Sequence, residues 1–248
     1  MILPESLKHE FKKYAKVIFV SIILFAGFSI YISQRRGYYD LYIINKVLAG
    51  VAAINFSIII LLGPLSRLFN FVDRHIELRK EFGIVGMVLA ITHAVSSFFF
   101  LSSRFPLKFY FEKQLLTFVF GLISVAILIC LFVISFEKII IRLGRARWWK
   151  MSYWGMRLLF VLVILHVFVM KWNGWVDWYM KGGTKELVHP EWPGGGLIVG
   201  WFVAFALLMR IAELLGPRIG KIIWYLTVIL LPIIYFLTFW RGASILIK

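Results

Sequence analysis

Seven apolar runs, each close to or above the roughly 20 residues that cross a bilayer, constrain this chain more than any other feature. In hydrocarbon each backbone N–H and C=O must be satisfied within its own segment, so such runs fold as helices. The candidate spans are roughly residues 17–33, 44–63, 82–101, 115–136, 152–171, 196–215 and 222–240. A soluble domain would break its apolar residues into periodic stripes, whereas here 61% of 248 residues are hydrophobic and cluster in blocks. The expected fold class is all-α, a polytopic membrane helical bundle.

A formal net charge of +16 invites a nucleic-acid reading, because a basic surface attracts phosphate. The Lys and Arg residues lie mostly between the apolar blocks, however, where they orient helices and meet anionic membrane lipid, so no nucleic-acid partner is expected. The tail and the loops after the second, fourth and sixth spans hold sixteen of the 28 Lys and Arg, counting Arg210 near the end of the sixth span. The densest group is Lys138, Arg142, Arg145, Arg147 and Lys150. The positive-inside rule therefore puts the N-terminus in the cytoplasm, with the chain multi-pass in the cell's inner (plasma) membrane. Seven spans put the C-terminus outside; a seventh segment lying on the surface would reverse that end.

Lys8, Lys12, Lys13 and Lys16 precede an apolar stretch that continues for a full span without a small-residue cleavage site. It reads as a first helix and not as a removed signal peptide. Cys130 is the sole cysteine, which excludes an intrachain disulfide and a cysteine metal cluster. An outward loop of about two dozen residues, with Trp172, Trp175, Trp178, Tyr179 and Trp192, is expected between the fifth and sixth spans. Its rings suit an interfacial belt or a docking surface for an external partner.

Five histidines divide into two groups. His9, His75 and His189 fall in the tail and loops and read as solvated side chains. His93 and His166 fall inside apolar spans that both run from the inner to the outer face. From Glu81 to His93 the rise is about 18 Å, and from Ser152 to His166 about 21 Å, at 1.5 Å per residue. Both imidazoles then sit past the midplane of a core of roughly 30 Å, at matching depth. Neutral imidazole is a good ligand for haem iron, and two of them on two helices can clamp one haem between them. The alternatives are histidines bonded to Ser, Thr or backbone across helices, and zinc, which two histidines without a third ligand serve poorly.

The flanking residues carry a resemblance. The second span ends in LLGPLSRL, the third opens with LRKEFGIVGMVLAITH ending at His93, and the fifth is reached through RLGRARWWKMSYWGMRLLFVLVILH ending at His166. Over roughly residues 45 to 215 this resembles the ferric-reductase-like transmembrane domain. Within it, the likeness is greatest to the haem-binding membrane subunit of the bacterial periplasmic methionine sulfoxide reductase system. That family has a TP-x-x-R-type helix end, an RR-x-LG helix start with its histidine, and an LG-x-x-W segment before a second histidine. The resemblance implies axial haem ligands at His93 and His166, a basic pair at Arg79 and Lys80, a glycine at Gly83 and a tryptophan at Trp149. It implies a six-helix ferric-reductase-like core plus a seventh helix. The expected organisation is a cytoplasmic basic tail over 1–16, a haem-binding transmembrane domain over 17–215 and an added C-terminal helix in 216–248.

The chain departs from that family at two places. Thirteen residues before the second ligand, where another histidine is usual, stands Tyr153, and the equivalent position on the third span is Lys80. One b-type haem is therefore expected, with quinone or flavin as the candidates for any further cofactor. Arg157 sits one to two turns into the fifth span, where a charge is costly and calls for a carboxylate, a lipid phosphate or a cofactor group. After the sixth span, Gly216, Pro217 and Gly220 mark a turn where the oxidase-type members continue into a nicotinamide-binding domain, and no G-x-G-x-x-G stretch exists.

A lone haem in the outer half lies on the order of 18 Å from the inner face, too far for efficient direct reduction from a cytoplasmic flavin. The expected function is a membrane b-type cytochrome, the electron-transfer haem subunit of an oxidoreductase system. It would take electrons from quinol or a donor subunit and pass them to an extracytoplasmic redox partner. Arg104 and Lys108 are candidates to pair with haem propionates. The rival class is a non-redox transporter or assembly scaffold. Transporters usually show repeated halves or helices broken at midplane; here Pro64 and Pro217 lie near span ends, Pro232 falls inside the seventh span, and Gly50, Gly86 and Gly121 suit close helix packing.

Overall fold

The computed structural model describes residues 5–246. Among them the regular structure is entirely helical: α1 (Glu5–Arg36), α2 (Leu41–Leu68), α3 (Arg79–Val95), α4 (Leu107–Lys113), α5 (Leu115–Ile134), α6 (Glu137–Leu143), α7 (Arg145–Lys181), α8 (Gly195–Ala212) and α9 (Pro217–Leu246). A 3₁₀ stretch, Asn70–Leu78, leads into α3, and a π turn, Ser96–Phe100, continues it. Seven helical segments are long and apolar enough to cross a membrane, so the chain is a multi-pass membrane protein.

The ends of the helices differ from the apolar runs. α1 begins at Glu5, so the described part of the basic tail is helical, and α7 runs for 37 residues instead of the expected twenty. Trp172, Trp175, Trp178 and Tyr179 consequently belong to α7, and only Trp192 of that group lies in the connection to α8. The reason is local: no proline follows residue 171 until Pro190, Gly174 is carried inside the helix, and the stop is Gly182, whose φ of 81° is a left-handed conformation suited to glycine at a helix end. Short α4 and α6 occupy segments expected as loops.

The described chain forms two compact units. One takes the described residues of Met1–Leu89 and Trp175–Lys248; the other is Ala90–Gly174. The first is organised around α2, which packs on α1 and α8, with α8 also on α9. Its core gathers Ile32, Ile43, Val47 and Val51, and beside them Ala53, Ile54 and Val199. Asp40 caps α2 by accepting from the Ile43 amide at 2.9 Å, which contributes about 1 kcal/mol. In the middle of the helix pair, Asn55 Nδ2 donates to Ser21 Oγ at 3.0 Å, both fully or nearly fully buried. Such a bond holds two apolar helices in register where lipid supplies no partner. A Cβ at Gly86 would come within 2.9 Å of the Phe56 ring, so glycine lets α3 approach α2 there.

The α7–α8 connection, expected as a loop with a solvated His189, is tied down. Tyr31 Oη donates to Pro193 O at 2.6 Å and Arg35 Nε to Trp192 O at 2.8 Å. The His189 amide donates to Arg35 O at 3.1 Å. The His189 ring stacks on Trp192 at 4.4 Å, and Trp192 stacks on Tyr31 at 5.4 Å. His189 Nδ1 lies 3.1 Å from Glu191 Oε1, so this histidine is stacked and paired while its side chain stays 41% exposed.

Candidate functional site

All five residues singled out as cofactor contacts, His93, Arg104, Lys108, Arg157 and His166, fall in the Ala90–Gly174 unit. Its helices α5 and α7 run antiparallel, and a side chain of each lies against a glycine of the other. A Cβ at Gly155 of α7 would meet Leu131 Cδ2 of α5 at 2.8 Å. Near the opposite end of the pair, a Cβ at Gly121 of α5 would meet the Cε1 and Nδ1 atoms of His166, each at 3.1 Å. The space beside Gly121 is thus filled by an imidazole, a more specific role than general helix packing.

His166 Nδ1 lies 2.8 Å from the backbone oxygen of Thr117. A carbonyl can only accept, so Nδ1 carries the proton and donates. In the neutral ring the lone pair then belongs to Nε2, the tautomer that binds iron or another metal. Thr117 sits in the first turn of α5, where it is itself anchored: its Oγ1 donates to Gln114 Oε1 at 2.8 Å. Gln114 is the break between α4 and α5, so the short helix that sequence reading missed sets where the carbonyl starts.

His93 is partly buried in the last turn of α3. The π turn begins three residues later, and its Leu101 amide reaches back five residues to Ser96 O at 2.9 Å. Isolated π turns are rare and occur often at functional sites, because they rotate the following side chains relative to an α-helix. Apolar patterning gives no warning of it.

Arg157 stands with its guanidinium carbon 3.0 Å from the Tyr153 ring centroid, and its Nη1 donates to Tyr153 O at 2.7 Å. Trp149 stacks on Tyr153, with ring centroids 4.8 Å apart and planes inclined by 25°. Trp149, Tyr153 and Arg157 are spaced four apart and so form one stripe along α7. The charge of Arg157 is satisfied by a ring face and a carbonyl on its own helix. Lys108 is exposed and lies 3.7 Å from Glu112 on α4. Arg104 follows the π turn on an exposed segment, its amide donating to Leu101 O at 3.0 Å.

A haem iron asks its axial ligand for a neutral, oriented imidazole with one free nitrogen. His166 meets that requirement through Thr117 and Gly121, and His93 is a second histidine of the same unit. Among the described residues no three His, Cys, Asp or Glu side chains gather as a metal-holding cluster. No family model matches the chain, and no curated protein matches it.

Proposed function

We propose that the chain is a b-type cytochrome of the inner (plasma) membrane, with its N-terminus in the cytoplasm. In this reading it carries electrons from a membrane quinol or a donor subunit to an acceptor on the outer side. The observation that carries the reading is the Thr117 carbonyl on His166 Nδ1, which fixes the ring and leaves Nε2 for iron. The matching depth of His93 and His166, and the ferric-reductase-like order of the segments around them, support it.

His93 and His166 would hold the iron. When bound, the haem supplies a one-electron couple whose potential the protein sets through its ligands, hydrogen bonds and fixed charges. Thr117 increases the electron-donating power of its imidazole by accepting the Nδ1 proton in a hydrogen bond. Arg104 and Lys108 are candidates to balance propionate charge. The Trp149–Tyr153–Arg157 stripe offers no imidazole where a second haem would need one, in keeping with a single haem.

The test is anaerobic reduction by a short-chain quinol of the purified protein in lipid vesicles, with haem per chain measured on the same sample. One haem per chain, reduced by quinol, supports the proposal. Haem that dithionite reduces but quinol does not would assign the donor role to a partner subunit. A folded sample without haem would sink the redox reading in favour of a transporter or scaffold.

A further inference from the structure

The unit built on α1, α2, α8 and α9 contains a cluster of guanidinium groups that the redox reading does not use. Arg67 lies in the last turn of α2 and Arg210 in the last turn of α8. Both engage Glu213, just beyond α8: Arg67 as an ion pair at Oε1, and Arg210 as a donor to Oε2. The Glu213 side chain is only 6% exposed, and each of its oxygens faces an arginine. Arg79, the first residue of α3, is partly buried and within electrostatic range of Arg210, Glu213 and Arg67. Its guanidinium forms no hydrogen bond or ion pair with another described residue.

Charge accounting shows what is missing. Three arginines and one glutamate leave a surplus of two positive charges. The C-terminal ends of α2 and α8 contribute roughly −0.5 each, so a positive surplus remains, to which Lys221 beside Phe69 adds. A partly buried guanidinium within electrostatic range of two others is unfavourable unless an anion joins them. A phosphodiester supplies negative charge, and its oxygens match the planar fork of arginine.

The surroundings indicate where that phosphodiester comes from. The cluster lies at the α2–α3 and α8–α9 connections, where four apolar segments end. The two connections are adjacent, since a Cβ at Gly220 would meet Leu68 Cδ2 at 3.1 Å. Phe69 contacts the rings of Trp224 and Tyr225 at 5.9 and 6.0 Å, and Lys221 Nζ lies 5.7 Å from the Phe69 centroid. Aromatic rings mixed with cations at the ends of spans are the composition of the headgroup level.

We propose that Arg67, Arg79 and Arg210 form a binding site for the phosphate of an anionic membrane phospholipid. Glu213 holds two of the arginines in place, and Arg79 supplies donors not engaged by protein. The site is independent of haem binding.

The test uses the full-length protein in neutral detergent, titrated with phosphatidylglycerol, phosphatidylcholine or inorganic phosphate. Thermal unfolding and native mass spectrometry are the readouts, on wild type, Arg79→Gln and Arg79→Lys. The expected result is stabilisation by phosphatidylglycerol with a lipid retained in the mass spectrum. Arg79→Gln should weaken this about tenfold, the equivalent of about 1.4 kcal/mol, and Arg79→Lys by less. Stabilisation by inorganic phosphate that Arg79→Gln abolishes, without an effect of phosphatidylglycerol, would support the anion site and reject the lipid as its source. Equal binding of phosphatidylglycerol by wild type and Arg79→Gln, or no stabilisation by either anion, would overturn the proposal. Should Arg79→Gln fail to fold, Arg67→Gln, whose parent side chain is 63% exposed, provides the same comparison.

Discussion

The backbone carbonyl of Thr117 holds His166 by its Nδ1 atom, 2.8 Å away, on the helix that Gly121 keeps open for the ring. In an α-helix the same carbonyl faces the amide of the residue four positions on, which is Gly121. One helical turn therefore supplies both the acceptor that selects the tautomer and the space that admits the imidazole. A cofactor held at Nε2 would depend on both.

Gly121→Ala tests the space. The added methyl would lie 3.1 Å from two ring atoms, so the imidazole or the helix must shift by a few tenths of an ångström. Overpacking of this kind costs about 1–3 kcal/mol. The expected outcome is lower thermal stability together with weaker haem retention, followed by absorbance during dilution. Retention equal to wild type would show that the ring has room to move.

The aromatic stripe on α7 separates a structural from a cofactor role for Arg157. Arg157→Gln removes a guanidinium stacked on Tyr153, a contact contributing about 0.5–2 kcal/mol. Because that side chain is satisfied within its own helix, the variant should lose stability and keep its haem spectrum. A changed spectrum at unchanged stability would place Arg157 against the cofactor instead.

Arg104 and Lys108 are testable through the potential. A nearby cation favours the reduced, more negative haem, so removing it lowers the midpoint. The double variant Arg104→Gln/Lys108→Gln should shift the midpoint downward in a redox titration, most clearly at low salt. An unchanged midpoint would reject both as propionate partners and leave Lys108 as the partner of Glu112.

The tied connection between α7 and α8 makes a prediction of its own. Tyr31→Phe removes the donor to Pro193 O, a hydrogen bond with a net contribution of about 1 kcal/mol. Limited proteolysis should then cut faster within residues 182–194 while the remainder stays resistant. Unchanged cleavage would mean that Arg35 and the Tyr31–Trp192–His189 stack suffice to hold the segment.

The membrane class was legible because bilayer thickness sets a length that apolar runs must reach, and all seven runs reach it. Helix ends were not legible on that basis. Trp172 to Lys181 extends α7 beyond its apolar block, since the helix carries Gly174 within it and stops only at the left-handed Gly182. α4 and the π turn after His93 are too short to show periodicity. His93 and His166 stood out because an imidazole in an apolar span needs a partner, but the partner of His166 is a main-chain oxygen 49 residues away in sequence. No side-chain pattern encodes such an acceptor. Gly121 carried a faint signal as a small residue in an apolar helix, whereas Arg157 and His189 owe their partners to folding of their own segments.

The measurement that bears most directly on the central claim is the reduced-minus-oxidised visible spectrum of the purified protein beside His93→Ala and His166→Ala. The account predicts a sharp low-spin b-type signal in the wild type that is lost from both variants while their helicity is retained. A well-folded wild type without haem, or a low-spin signal that survives replacement of either histidine, would contradict it.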